Sequence, residues 1–134
     1  MALLCSMVAD AVEIEPGVSQ KLAVQRRAAI GNLCYDLKFR IPASRKEKVS
    51  GTAVIKFPYK KCGDDLQLDF QGADGQYGGV VTVNGKKRRA EWRSEHIILK
   101  ESWLKNGENA VDVAFTSGDK SLNRNDDYLY TLFV

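Results

Sequence analysis

The sequence predicts an all-β domain: an antiparallel β-sandwich or saddle-like curved sheet with one short N-terminal helix. Three observations lead there. Apolar and polar residues alternate in stretch after stretch, most clearly at Leu33, Tyr35, Leu37, Phe39 and Ile41, which is the period of a strand. These runs are short and divided by turn residues such as Pro42, the glycines from Gly72 to Gly79, and Asn84-Gly85, the spacing of hairpin-linked strands. A helical period is confined to one stretch near the N-terminus.

That stretch runs from Gln20 to Ala29 and is rich in helix formers, with Ser19 placed to cap it. Leu22, Arg26, Ala29 and Ile30 fall near one face, and Gly31-Asn32 supplies the stop. Beyond it the period becomes two. Residues 33–41 form the clearest strand, ended by Pro42, and Val49, Gly51, Ala53, Ile55 and Phe57 alternate in a second that should pair with it as a hairpin. Leu66, Leu68 and Phe70 mark a third. Val80-Val81-Thr82-Val83 precedes Asn84-Gly85, a type I′ turn signal because both central residues tolerate positive φ. A return strand is expected through Lys86-Lys87-Arg88-Arg89 to Trp92, and His96 to Leu99 makes another. Ser102 to Gly107 reads as one helical turn closed by glycine. Val111, Val113 and Phe115 mark the penultimate strand and residues 127–134 the last.

With 134 residues the chain is one domain, and its apolar (44%) and charged (28%) fractions are those of an ordinary globular protein. No run approaches the roughly 18 apolar residues of a membrane span. A net charge of +3 is too small to demand a polyanionic partner. Residues 1–18 read as an arm preceding the sandwich at 19–134. The arm's apolar start, Met1 to Val8, lacks a basic leader and is read as a trimmed signal-peptide remnant or as residues foreign to the domain. The first alternative leans toward export to the periplasm or cell envelope. The last strand is apolar on both faces and so expects cover on both; Val134 reads as a cut inside a larger protein. Leu132 and Phe133, on opposite faces there, are expected to drive self-association through that exposed strand.

Little in the chain carries chemistry. Cys5, Cys34 and Cys62 lie in no C-x-x-C or C-x-x-H pattern, so they read as buried or half-buried free thiols. His96 is the single histidine and reads as a packed or surface residue. Asp64-Asp65 and Asp126-Asp127 read as solvated turn residues, and Gly72, Gly75, Gly78 and Gly79 match no phosphate-binding loop. Lys86 to Arg89 beside Trp92 suggests single-strand binding, but consecutive residues of a strand alternate between faces and form no stripe. Trp92, Trp103 and Tyr77 are candidates for a sugar-stacking platform or for the core.

One segment is more specific. Thr116-Ser117-Gly118-Asp119-Lys120-Ser121-Leu122-Asn123-Arg124-Asn125, followed by Asp126-Asp127-Tyr128-Leu129-Tyr130-Thr131, resembles the end of the N-terminal domain of the aminopeptidase N family of zinc metallopeptidases. In that family a glycine, a few polar residues, Leu-x-Arg and then Tyr-Leu-Tyr-Thr lead into the catalytic domain. Ile30 to Pro42 resembles the family's first long strand, and Trp103 to Asn109 resembles its Leu-x-x-Gly-Glu-Asn turn. The resemblance spans roughly residues 20–134 and implies a β-sandwich with a broad saddle-like sheet. It further implies a following catalytic domain that holds zinc through two histidines and a glutamate, with another glutamate as general base for cleaving the first peptide bond. H-E-x-x-H is absent here, so this chain supplies no catalytic or metal-binding residue. The implied partners are the parent's catalytic domain and, in the full-length protein, a peptide substrate, with no nucleic acid and no membrane span. Where the family commonly carries a glutamine lining the pocket for the substrate's first side chain, this sequence has Leu132, the one candidate substrate-binding residue. Two other readings stand beside this one: a free-standing β-sandwich module binding carbohydrate or protein, and a small nucleic-acid-binding β-domain.

Overall fold

The computed structural model describes residues 11–72, 76–116, 123–125 and 127–130. Helix α1 (Gln20–Ala29) starts where the Ser19 side chain accepts a hydrogen bond from the Leu22 N–H, as the cap predicts, and ends at extended Ile30. Ten strands follow: β1 (Cys34–Arg40), β2 (Ser50–Tyr59), β3 (Leu66–Asp69), β4 (Val80–Val83), β5 (Lys86–Arg89), β6 (Glu91–Arg93), β7 (His96–Leu99), β8 (Gly107–Thr116), β9 (Asn123–Arg124) and β10 (Leu129–Tyr130). The expected turn after residue 101 is a 3-10 helix at Glu101–Trp103, and Gly107, at φ 91°, opens β8.

All pairings are antiparallel. One sheet has the order β1-β2-β8-β4-β5, a second β3-β7-β6, and β9 and β10 form a separate hairpin. The predicted first hairpin is present, with Tyr35 opposite Ile55, Leu37 opposite Ala53 and Phe39 opposite Gly51. Its spine is the ten-residue ladder of β2 and β8, from Ser50 opposite Thr116 to Tyr59 opposite Gly107. Gly51 is required where the Phe115 ring crosses the strand, since an added Cβ would lie 2.6 Å from Phe115 Cζ. Asn84 and Gly85 both take positive φ, joining β4 to β5 as predicted.

The two larger sheets share one core. Ile55, Phe57, Val81, Val83, Val111 and Val113 come from the five-stranded sheet and Leu66, Ile97 and Leu99 from the three-stranded one. The fold is therefore all-β with one helix. The other face of the three-stranded sheet carries Gln67, Ile98 and His96, all buried. The arm and α1 cover it: Glu13 contributes a carbonyl to Gln67, Glu15 and Gly17 theirs to His96, and Arg26 a guanidinium to Asp69.

Three expectations need correction. The basic return strand does not continue to Trp92: it breaks at Ala90, where the chain passes from the five-stranded sheet to the three-stranded one. The Ala90 N–H bonds the Gly79 carbonyl and its own carbonyl accepts from the Tyr77 hydroxyl. Cys34 and Cys62 are free but exposed rather than half-buried, because alternation assigns Cys34 to a face without saying whether that face is covered. Asp64 and Asp65 are not merely solvated: Asp64 accepts from Gln25, and Asp65 from the Lys100 ammonium and the Glu101 N–H.

Five strands stacked on three leave an overhang. β1 lies at the edge of the wider sheet, and Leu33, Tyr35, Leu37, Phe39 and Ile41 are each 48–54% exposed although they share the face that buries Ile55. Core and overhang should respond differently to truncation. Ile97→Ala, at a fully buried site, is expected to cost about 2–5 kcal/mol in urea unfolding, whereas Val24→Ala on the exposed helix face should stay within about 0.5 kcal/mol. Equal losses at both sites would deny that the core lies between the sheets.

Candidate functional site

The densest polar chemistry sits on the outer face of the three-stranded sheet, where β3 places Asp69 opposite His96 of β7. Arg26, one turn before the end of α1, reaches Asp69 with both terminal nitrogens, at 2.8 and 2.5 Å, and also donates to the Gln67 carbonyl at 2.6 Å. His96 Nε2 lies 3.0 Å from the carbonyls of both Glu15 and Gly17. Its Nδ1 lies 2.9 Å from Asp69 Oδ1, an ion-pair distance with the oxygen off the ring N–H axis. The Nε2 side of the ring thus faces two main-chain acceptors and the Nδ1 side a carboxylate. Burial pushes the Asp69 carboxyl up, but Arg26 and then His96 outweigh it and hold it below the usual carboxylate range. A carboxylate behind an imidazole is the orienting half of a catalytic triad. Here the other ring nitrogen is occupied by main chain, and the arrangement pins the arm to the sheet. His96 is a packed residue, as one of its two expected readings had it.

A second polar knot holds the start of the 3-10 helix. Glu101 Oε1 accepts from the N–H groups of Cys62 and Gly63 and from the Tyr59 hydroxyl. Burial opposes ionisation of Glu101, yet those backbone donors and Tyr59 keep its carboxyl below the ordinary range. Tyr59 is pushed well up by burial, then by Cys62 and Glu101. Asn109 plays a similar part, receiving from Lys105 N and Asn84 Nδ2 and donating to two carbonyls.

The aromatic residues singled out from sequence do not assemble a platform. Tyr77 is buried in the core, Trp92 Nε1 donates to the Phe70 carbonyl, and Trp103 lies beneath the Arg88 guanidinium, 5.8 Å from its ring centre. The basic run is divided, with Arg88 turned onto Trp103 and Lys86, Lys87 and Arg89 exposed. A cleft of about 180 Å³ opens below β1, walled by Leu33, Tyr35, Leu66 and Leu68 with Arg26 and Asp69 at its margin. That is smaller than the roughly 300 Å³ at which small-molecule pockets begin. Among the described residues no three of His, Cys, Asp and Glu gather to hold a metal, and no helix is long and apolar enough to cross a membrane.

Beyond β8, Leu129 pairs with Arg124 and Tyr130 with Asn123. The Asn125 side chain accepts from the N–H groups of Asp127 and Tyr128, shaping the turn. Tyr128 and Tyr130 remain more than half exposed. Leu132, with Cys5, Gly75, Asp126, Phe133 and the rest of residues 131–134, lies outside the described residues. Comparison with protein-family models, with curated proteins and with solved structures returned no match.

The Asp69 cluster has a definite pH signature. A carboxyl held below its unfolded value contributes stability that is complete above that value and is lost as pH falls through the lower folded one. The stability difference between the native chain and Asp69→Asn should be constant above about pH 5 and shrink progressively below about pH 4. Urea titrations at a series of pH values measure it. A difference unchanged down to the acid limit would remove Asp69 from the acid response.

Proposed function

We propose that this chain is the N-terminal, non-catalytic domain of an aminopeptidase N-type zinc exopeptidase, a domain that packs on the catalytic domain and helps wall its substrate cavity. The observation that carries this reading is the segment from Gly118 to Thr131, whose Leu-x-Arg and Tyr-Leu-Tyr-Thr elements resemble the family's passage into the catalytic domain. Its described part supports the role in physical terms. A short hairpin held by Asn125 presents Tyr128 and Tyr130 outward, and exposed tyrosines two positions apart make an amphipathic contact suited to a second domain. The antiparallel all-β architecture agrees with the class the resemblance implies.

In this reading the zinc is held by the catalytic domain and this domain packs beside it. Export and a peptide substrate belong to the same proposal. Leu132, in place of the family's usual glutamine, makes one wall of the pocket for the first side chain apolar.

In a protein joining this chain to its catalytic domain, chelation should abolish release of amino-terminal residues, and added zinc should restore it. Leu132→Gln should shift the ratio of kcat/KM between apolar and basic first residues by about 10-fold, since an apolar wall discriminates weakly. Release that survives chelation would refute the zinc exopeptidase reading. An unchanged ratio with zinc dependence intact would remove Leu132 from the pocket and leave this domain a support.

A further inference from the structure

We propose that β1 is a self-pairing edge: two copies of the chain join by antiparallel β1-to-β1 pairing centred on Leu37, fusing their five-stranded sheets into one. This surface is separate from the β9–β10 hairpin, and the proposal does not depend on the function given above.

β1 ends the order of its sheet, so among the described residues one side of its backbone has no strand partner, and all seven of its residues are exposed. An exposed edge of this length is a template for another strand. What selects a second copy is the order of side chains about Leu37. Antiparallel pairing centred there sets Leu33 against the partner's Ile41 and Tyr35 against the partner's Phe39, joining the two apolar rows on one face. On the other face it sets Asp36 against the partner's Lys38, and Lys38 against the partner's Asp36. These are one ion pair formed twice by symmetry, and the interface is self-complementary as a two-fold requires.

The charges are free to take such a partner. Within the chain β2 places Val54 opposite Asp36 and Thr52 opposite Lys38, and among the described residues neither charge has an ion-pair partner. Neighbouring registers are rejected. A slip of one residue turns each copy's apolar row toward the other's charged face. Re-centring on Asp36 sets it against the partner's Asp36, and re-centring on Lys38 sets Lys38 against the partner's Lys38 while pairing Asp36 with the partner's Arg40. Like charges directly opposite are destabilising, and of these registers only the one centred on Leu37 has none. The far edge of the same sheet, β5, carries Lys86, Lys87, Arg88 and Arg89, a like-charged run that cannot pair with itself.

Sedimentation equilibrium of the full chain tests the proposal, with circular dichroism to verify folding of each variant. A concentration-dependent dimer is expected. Asp36→Lys and Lys38→Asp should each weaken it by about 10-fold or more, since two opposed pairs become like-charged, and the double reversal should restore it to within about 3-fold. In a background with Cys5, Cys34 and Cys62 changed to serine, Leu37→Cys should form a disulfide-linked dimer under copper-phenanthroline oxidation faster than Asp36→Cys or Lys38→Cys, because only residue 37 lies opposite itself. A chain monomeric at every concentration would overturn the proposal. So would single reversals without rescue by the double, or a dimer abolished only by Leu132→Lys with Phe133→Lys.

Discussion

The rest of the structure depends on a mismatch in width between two sheets that must share one core. Strands lie about 4.8 Å apart, so three of them span little more than half the breadth of five. Where the two overlap, side chains vanish from solvent: Ile97 and Val111 face each other's sheets at no measurable exposure. Where they do not, the wider sheet continues with the same alternation and no cover. The two overhanging edges differ in chemistry. β5 meets water with lysine and arginine, and its one inward-leaning cation lies on Trp103. β1, with Leu33 and Ile41 flanking it, meets it with five apolar side chains, half exposed, of which Phe39 leans edge-on against Phe115. An aromatic chain from Phe39 through Phe115 and Phe70 to Tyr77 bridges that overhang to the core.

The narrow sheet would have the same difficulty on its outer face if the chain did not begin by covering it. Residues 11–18 contribute main-chain carbonyls, not side chains, to Gln67 and His96. Carbonyls brought to a buried surface need donors, and His96 is the donor provided. Arg26 then neutralises the carboxylate that faces the ring and satisfies the Gln67 carbonyl at the free edge of β3. One guanidinium thus serves a charge and an unpaired strand edge together, a double role suited to its fork of donors. The Glu101 knot works with the opposite sign, a carboxylate collecting the N–H groups of a tight loop.

Local rules were readable in the sequence wherever a single residue decides the backbone. Ser19 capped the helix because its hydroxyl answers an orphan N–H, and Asn84-Gly85 made its turn because both residues accept positive φ. The turn type between β6 and β7 has no signal in the sequence because Ser94 and Glu95 adopt positive φ without being residue types that favour it; the two-residue loop that sets Arg93 opposite His96 requires it. The sheet switch at Ala90 was hidden for a different reason: the run from Lys86 to Arg93 has no proline or glycine to mark a break, and period alone cannot say which sheet a strand joins. The Arg26–Asp69–His96 cluster joins residues far apart in the chain, and no local signal connects them. Leu132 came from resemblance and stands outside the described residues.

Alternation also leaves unsaid whether a face is covered, and β1 turns that gap into a physical argument. A strand with an apolar row on one face ordinarily lies over a core, and the ladder to β2 sets Tyr35, Leu37 and Phe39 on the face that buries Ile55. The three-stranded sheet ends at β3 before reaching them, because Arg26 occupies the edge where a further strand would pair. Adding a strand to β3 would have to displace a guanidinium already bound to a carboxylate and a carbonyl. Among the described residues no such obstacle stands at the outer edge of β1, where opposite charges at Asp36 and Lys38 flank Leu37. Of the two edges beside the cleft, the one that bears the uncovered apolar row is also the one left open, so growth of this fold by strand addition favours β1.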